Sequence, residues 1–181
     1  MKRSILVLAA LALVVFFGCK KAEDLATIDQ DITYQEDVPI PYGSSVPIPV
    51  NMGTSVPYAF ATDYQTYLNT YHTSADKVIS TKMKKLSMRI TSPSNQNFDF
   101  LDTVKLYVNA PGLPEVLAAY KAPVPKGTQL VDLDVVDVEL KPYFLQDSMH
   151  VRLYGFVNTL PQANTTVNLS TTFKLIANPL K

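Results

Sequence analysis

The chain has one cysteine, no tryptophan and two histidines in 181 residues. A lone cysteine forms no internal disulfide, so a folded domain here must be held by its core. His72 and His150 stand apart in the sequence. Neither has a histidine, a cysteine or a Glu-x-x-His partner at metal-ligand spacing. No serine lies in a nucleophile motif. An excess of one charge is also lacking, with 16 basic against 16 acidic residues. That balance leaves no electrostatic footprint for nucleic acid. No apolar run reaches the roughly 20 residues that a membrane-crossing helix needs. Internal repeats and low-complexity tracts are absent too. These absences point away from metal, nucleophilic and nucleic-acid chemistry, and no cofactor is expected.

What the chain does have begins at its first residue. Met1-Lys2-Arg3 is a short basic start, and an unbroken apolar run follows from Ile5 to Phe17. Gly18, Cys19, Lys20 and Lys21 then end it abruptly. A charged start, a short apolar stretch and a small residue at its end make an export signal over residues 1–18. With Gly18 just before the only cysteine, this region resembles a bacterial lipoprotein signal. Phe16 and Phe17 depart from that family's usual leucine-then-small pattern. The resemblance implies a diacylglycerol on the Cys19 thiol, cleavage just before it, and a protein lipid-anchored at the outer membrane, on its periplasmic face or at the cell surface. Two or more acyl chains hold a protein stably, since each buried methylene contributes about 0.8 kcal/mol. The folded body then needs no membrane-binding surface of its own.

Residues 19–30 read as the lipidated cysteine and a polar tether, and residues 31–181 as one domain. Lys21, Glu23 and Asp24 loosely resemble the surface-export signal of Bacteroidota lipoproteins; a merely solvated linker explains them equally well. Without the leader's Lys2 and Arg3, 14 basic residues face 16 acidic ones.

Alternation dominates the domain. Ile32, Tyr34, Val38, Ile40 and Tyr42 in Asp31–Tyr42, then Val46, Ile48 and Val50 in Ser44–Met52, mark strands with one buried face. Pro39, Pro41, Pro47 and Pro49 confine those two to sheet edges or extended flanks. Further strands are expected over Lys85–Thr91, Thr103–Asn109, Val116–Tyr120, Leu130–Leu140, Val151–Val157 and Thr165–Ile176. The apolar phase of Leu130–Leu140 shifts at Val135-Val136, which predicts a bulge. Lys141–Asp147 suits a short helical turn. Thr62–His72 is the one good helix candidate, with Thr62 as its cap, Asp63 in its first turn, and Tyr64, Tyr67, Leu68 and Tyr71 along one face. About eight short strands separated by turn residues, with one short helix, predict an all-β antiparallel two-sheet sandwich. The run from Phe98 to Val108, followed by Gly112-Leu113-Pro114-Glu115, is similar to β-sandwich lipoproteins of Bacteroidota. That resemblance implies an envelope location and no activity.

Two groups of residues could carry a ligand. Asp132, Asp134, Asp137 and Glu139 could supply oxygens to calcium, but alternation alone makes them the solvated face of a half-buried strand. Tyr64, Tyr67, Tyr71, Tyr107, Tyr120 and Tyr154 could stack on sugar rings. Tyr107 and Tyr154 stand out, because they fall out of phase with the core positions of their strands. For the helix tyrosines, packing on a sheet is the plainer reading. The Asn164-Thr-Thr and Asn168-Leu-Ser sequons read as accidental in a bacterial protein. The first functional reading is therefore a non-enzymatic, lipid-anchored envelope protein whose sandwich engages other envelope proteins. The second is a carbohydrate-binding accessory lipoprotein.

Overall fold

The computed structural model describes residues 27–40, 56–159 and 161–180, with the backbone alone for 56–61. The leader, Cys19, most of the tether and the expected Ser44–Met52 strand lie outside the described residues. So do Tyr42, Pro41, Pro47 and Pro49.

The described chain is mostly strand. In order it forms β1 (Ile28–Ile40), β2 (Val56–Ala61), α1 (Tyr64–Thr70), β3 (Val78–Ser92), β4 (Leu101–Asn109), β5 (Val116–Lys121), β6 (Leu130–Val135), α2 (Lys141–Phe144), β7 (Ser148–Val157) and β8 (Thr165–Ala177). Short 3-10 turns precede β3 and β4. The all-β class is observed, and strands cover the expected Thr103–Asn109, Val116–Tyr120, Val151–Val157 and Thr165–Ile176. β1 starts at Ile28, opposite Ala177, so residues 28–30 belong to the domain rather than to the tether.

All eight strands join one antiparallel sheet, in the order β1-β8-β3-β6-β5-β4-β7-β2. Two separate sheets were expected; here hydrogen bonding runs through a narrow link, where β5 meets β6 only at Ala119↔Val135 and Tyr120↔Asp134. The link divides the sheet into a β1-β8-β3-β6 half and a β5-β4-β7-β2 half. One buried cluster draws on both halves. Leu86 and Met88 of β3 and Leu169 of β8 share it with Leu106 and Val108 of β4 and Val151 of β7. Period-2 alternation produces this directly, since it turns every second side chain of each strand to the same face. Gly155 takes one inward position of β7. A Cβ there would meet Leu101 Cδ1 at 2.9 Å.

A smaller cluster of Ile32, Val78, Leu175 and Ala177 is covered by Leu68 of α1 and Phe144 of α2. Phe173 joins the two cores, with ring centroids 6.0 Å from Phe144 and 5.9 Å from Tyr34. Both outer positions of the sheet suit their strands. β1 carries Pro39, which could not serve a central ladder.

Three local expectations are corrected. Thr62 does not cap α1. It is fully buried, and its hydroxyl donates to the Gln146 carbonyl at 2.6 Å. Asp63 is the cap residue instead, at φ 47°, a left-handed conformation that aspartate tolerates better than most residues. Second, Leu130–Leu140 is not one bulged strand. β6 ends at Val135, and residues 136–140 leave the sheet to strap the start of β3. Val136 N–H donates to Ala118 and Leu140 N–H to Thr81. The phase shift marks a departure, because Glu139 pins the strap by accepting Thr81 N–H at 2.8 Å and Lys141 N–H at 2.9 Å. Third, His150 lies within β7 rather than before it.

Candidate binding face

The tyrosines singled out from the sequence fall in two places. Tyr64 and Tyr67 are half-buried and pack on the smaller core, as their helical spacing indicates. Tyr71 is half-buried at the end of α1, where its N–H donates to the Tyr67 carbonyl. Tyr34, from the same cluster, donates to the Thr62 carbonyl. Burial, with Tyr67 and Asp63 nearby, pushes its phenol well above the usual range. The rings of Tyr34, Tyr64 and Tyr67 thus pack on the smaller core.

Tyr107, Tyr120 and Tyr154 are brought together on the outward face of β5, β4 and β7. Val104, Leu106 and Val108 of β4 point inward, which turns Lys105 and Tyr107 outward. On β7, Val151 and Val157 are buried and Phe156 is exposed, so Arg152, Tyr154 and Phe156 share the outer face. The register sets the neighbours. Lys105 stands opposite Tyr120 on one side and Tyr154 on the other. Tyr107 stands opposite Leu117 and Arg152, and Thr103 opposite Phe156. Tyr120 is 40% exposed and Phe156 37%.

The Tyr107 end of this face is fixed in place. Arg152 donates to Glu115 through Nε at 2.7 Å and Nη2 at 2.5 Å. Its guanidinium lies 4.6 Å from the centre of the Tyr107 ring. Such a fork and such a stack each favour one geometry. The hydrogen bonds to Arg152 hold the Glu115 carboxyl below the usual carboxylate range and raise Arg152 in turn.

Lys105 differs from most of the described lysines. Lys82, Lys84, Lys85, Lys121, Lys126 and Lys174 each lie within 3.5 Å of a carboxylate. Lys105 has no ion-pair partner among the described residues.

The acidic group is accounted for differently. Asp132 pairs with Lys85 at 3.5 Å, Asp134 with Lys121 at 3.1 Å and Asp137 with Lys82 at 2.5 Å. Glu139 binds Ser80 Oγ and the backbone. Burial disfavours its ionised form, but hydrogen bonds from Ser80, Thr81 and Lys141 outweigh that and hold the carboxyl below the usual range. Among the described residues, no three histidine, cysteine, aspartate or glutamate side chains gather as metal ligands. His72 is exposed in a left-handed turn after α1, and His150 pairs across the sheet with Ala59 and Asn109. Beyond the ends of β4 and β7, a cavity of about 160 Å³ is lined by polar loop residues, including Asn95, Gln96 and Gln162.

Lys105, Arg152 and Phe156 were not singled out from the sequence. A signal for Phe156 was available, since it shares the phase of Tyr154. Lys105 carried none, because its position between two tyrosines depends on pairing across strands.

No protein-family model matches the chain, and neither does any curated protein. Among solved structures, the 60-mer BFDV capsid protein aligns over 84% of this chain and 94% of its own, at 13% identity and a TM-score of 0.42. Mud crab dicistrovirus aligns over 87% and 74%, at 9% identity and a TM-score of 0.32. Likenesses this distant carry no argument about function.

Proposed function

We propose that this chain is a lipid-anchored protein of the bacterial cell envelope, held at the outer membrane through Cys19, with a non-enzymatic domain that binds other envelope components. The two halves of the sheet, facing each other across one core, serve as a sandwich-like scaffold for its outer surfaces. The observation that carries the reading is the order of parts: a basic start, an apolar run, Gly18-Cys19, a short polar segment, and then β1 from Ile28. The nine steps from Cys19 to Ile28 span about 30 Å at most, so acyl chains on Cys19 keep the domain close to the bilayer.

Envelope proteins are the first class of partner. β1 supports this choice: it is 13 residues long and lies at the edge of the sheet, paired among the described strands only with β8. Such an edge accepts an extended segment of a partner chain. Carbohydrate is the second class, favoured by the Tyr120–Lys105–Tyr154 row.

Mass spectrometry of the protein recovered from envelopes tests the anchor. The expected mature N-terminus is a diacylglyceryl-modified Cys19, and Cys19→Ser should release the protein from the membrane fraction. An unmodified thiol, or a mature chain that lacks Cys19, overturns the reading.

A further inference from the structure

We infer that the outward face of β5, β4 and β7 binds an acidic saccharide, with Tyr120 and Tyr154 stacking on sugar rings and the Lys105 ammonium receiving a sugar carboxylate. The inference rests on the second reading above and specifies its ligand.

The first argument is contrast with the opposite outer surface. On the β1-β8-β3 side, Asp31 pairs with Lys84 at 2.5 Å, Asp29 pairs with Lys174 at 2.8 Å, and Thr33 meets Thr172 at 3.0 Å. These groups pair with one another, although Arg89 of β3 is exposed with no ion-pair partner among the described residues and Ile79 is 46% exposed. The β5-β4-β7 face instead turns four aromatic rings outward, Tyr107, Tyr120, Tyr154 and Phe156, at positions where alternation would ordinarily place solvated side chains.

The second argument is charge. Lys105 stands between Tyr120 and Tyr154 in the register, with no ion-pair partner among the described residues. Its neighbour Tyr120 lies opposite Asp134, but Lys121 already holds that acid at 3.1 Å. The face thus presents one uncompensated cation, which selects an anionic occupant over a neutral one.

The third argument is shape and spacing. Adjacent strands lie about 4.8 Å apart, so the backbones carrying Tyr120 and Tyr154 lie at roughly twice that distance, with the strand of Lys105 between them. An extended chain of pyranoses can lay alternate rings on the two tyrosines and bring a carboxylate from the ring between them to Lys105. The Arg152–Glu115 fork holds Tyr107 as a fixed wall, so little side-chain freedom is lost on binding there. An acidic peptide could answer the charge, but it lacks the flat apolar ring faces that three adjacent strands of aromatics match.

The test is calorimetric titration of the full chain, purified in a polyoxyethylene detergent. The probes are tetramannuronate, neutral mannotetraose and tetraglutamate, with sedimentation on phosphatidylglycerol vesicles alongside. Tetramannuronate should bind, and mannotetraose should bind at least about tenfold more weakly, the factor expected for one charge-assisted hydrogen bond. Lys105→Gln should reduce tetramannuronate binding to the level of mannotetraose, and Lys105→Arg should retain most of it. Tyr120→Ala should weaken both sugars. Lys85→Gln, on the ion-paired surface, should change neither. Unchanged thermal midpoints establish that the variants fold. No binding of tetramannuronate overturns the inference, as does binding indifferent to Lys105→Gln. Equally tight binding of tetraglutamate, or vesicle binding lost with Lys105, overturns it in favour of a general anion or lipid surface. Acylation of Cys19 is scored on the same preparation. A lipidated protein that ignores uronates sinks this inference alone, and an unlipidated one sinks the envelope reading alone.

Discussion

The two outer surfaces of this sheet are built from the same alternation and yet differ in chemistry. On β1, β8 and β3 the outward positions hold threonines and opposite charges in contact: Asp31 with Lys84, Asp29 with Lys174 and Thr33 with Thr172. On β5, β4 and β7 they hold Tyr107, Tyr120, Tyr154 and Phe156 around Lys105, which has no ion-pair partner among the described residues. Beneath both surfaces lies one shared core. Stability rests mainly on the inward positions, and it leaves the outward ones more open to other demands. Under the proposal above, the aromatic surface is the one that meets a ligand.

The largest expected effects come from mutating the shared core. Leu106→Ala, under the aromatic face, and Leu169→Ala, under the ion-paired one, should each cost about 3 kcal/mol, the usual result of emptying a buried leucine site. Denaturant unfolding should remain one transition in both variants. Two separate transitions would break the comparison, because the halves would then be independent units rather than two surfaces of one.

Next in size is Glu139, which ties the 136–140 strap to β3. Glu139→Gln should cost about 1 kcal/mol, since at least one accepted hydrogen bond is lost or weakened. The pH dependence follows from its lowered pKa. A depressed carboxyl contributes its full stability above the unfolded value of about 4.3 and loses it as pH falls through the folded value. Wild type should therefore lose stability in acid below about pH 4.3 more steeply than Glu139→Gln does, in urea titrations at stepped pH.

The smallest stability effects distinguish the two surfaces most sharply. Lys84→Ala should cost no more than about 0.5 kcal/mol, because its pair with Asp31 is exposed on both sides. Tyr120→Ser should also leave the thermal midpoint within about a degree, since its ring is already substantially exposed. The two variants should differ in ligand titrations, where Tyr120→Ser loses affinity and Lys84→Ala does not.

Much of this fold was legible in the sequence. Val104, Leu106 and Val108, or Val167, Leu169, Phe173 and Leu175, announce their strands because local alternation and burial agree. Other parts were hidden by interactions between distant residues. β2, Val-Pro-Tyr-Ala-Phe-Ala, was missed; it is short, and Pro57 speaks against a strand, yet β2 sits at the edge of the sheet against β7, where proline is tolerated. β3 begins seven residues earlier than expected, because register shifts near Val78 and Met83 blur its period. Thr62 has the chemistry of a helix cap, but a carbonyl 84 residues away claims its hydroxyl. Of the candidate face, the outward phase of Tyr107 and Tyr154 could be read from each strand alone. The placement of Lys105 between Tyr120 and Tyr154 could not, since it depends on which strands become neighbours and in what register.

The most direct test is a backbone and side-chain NMR titration of the labelled protein with tetramannuronate. Shift changes should concentrate at Lys105, Tyr107, Tyr120, Tyr154 and Phe156, with Thr33, Lys84 and Thr172 unmoved. Changes centred on the ion-paired surface, or none at saturating sugar, would contradict the division of labour between the two faces.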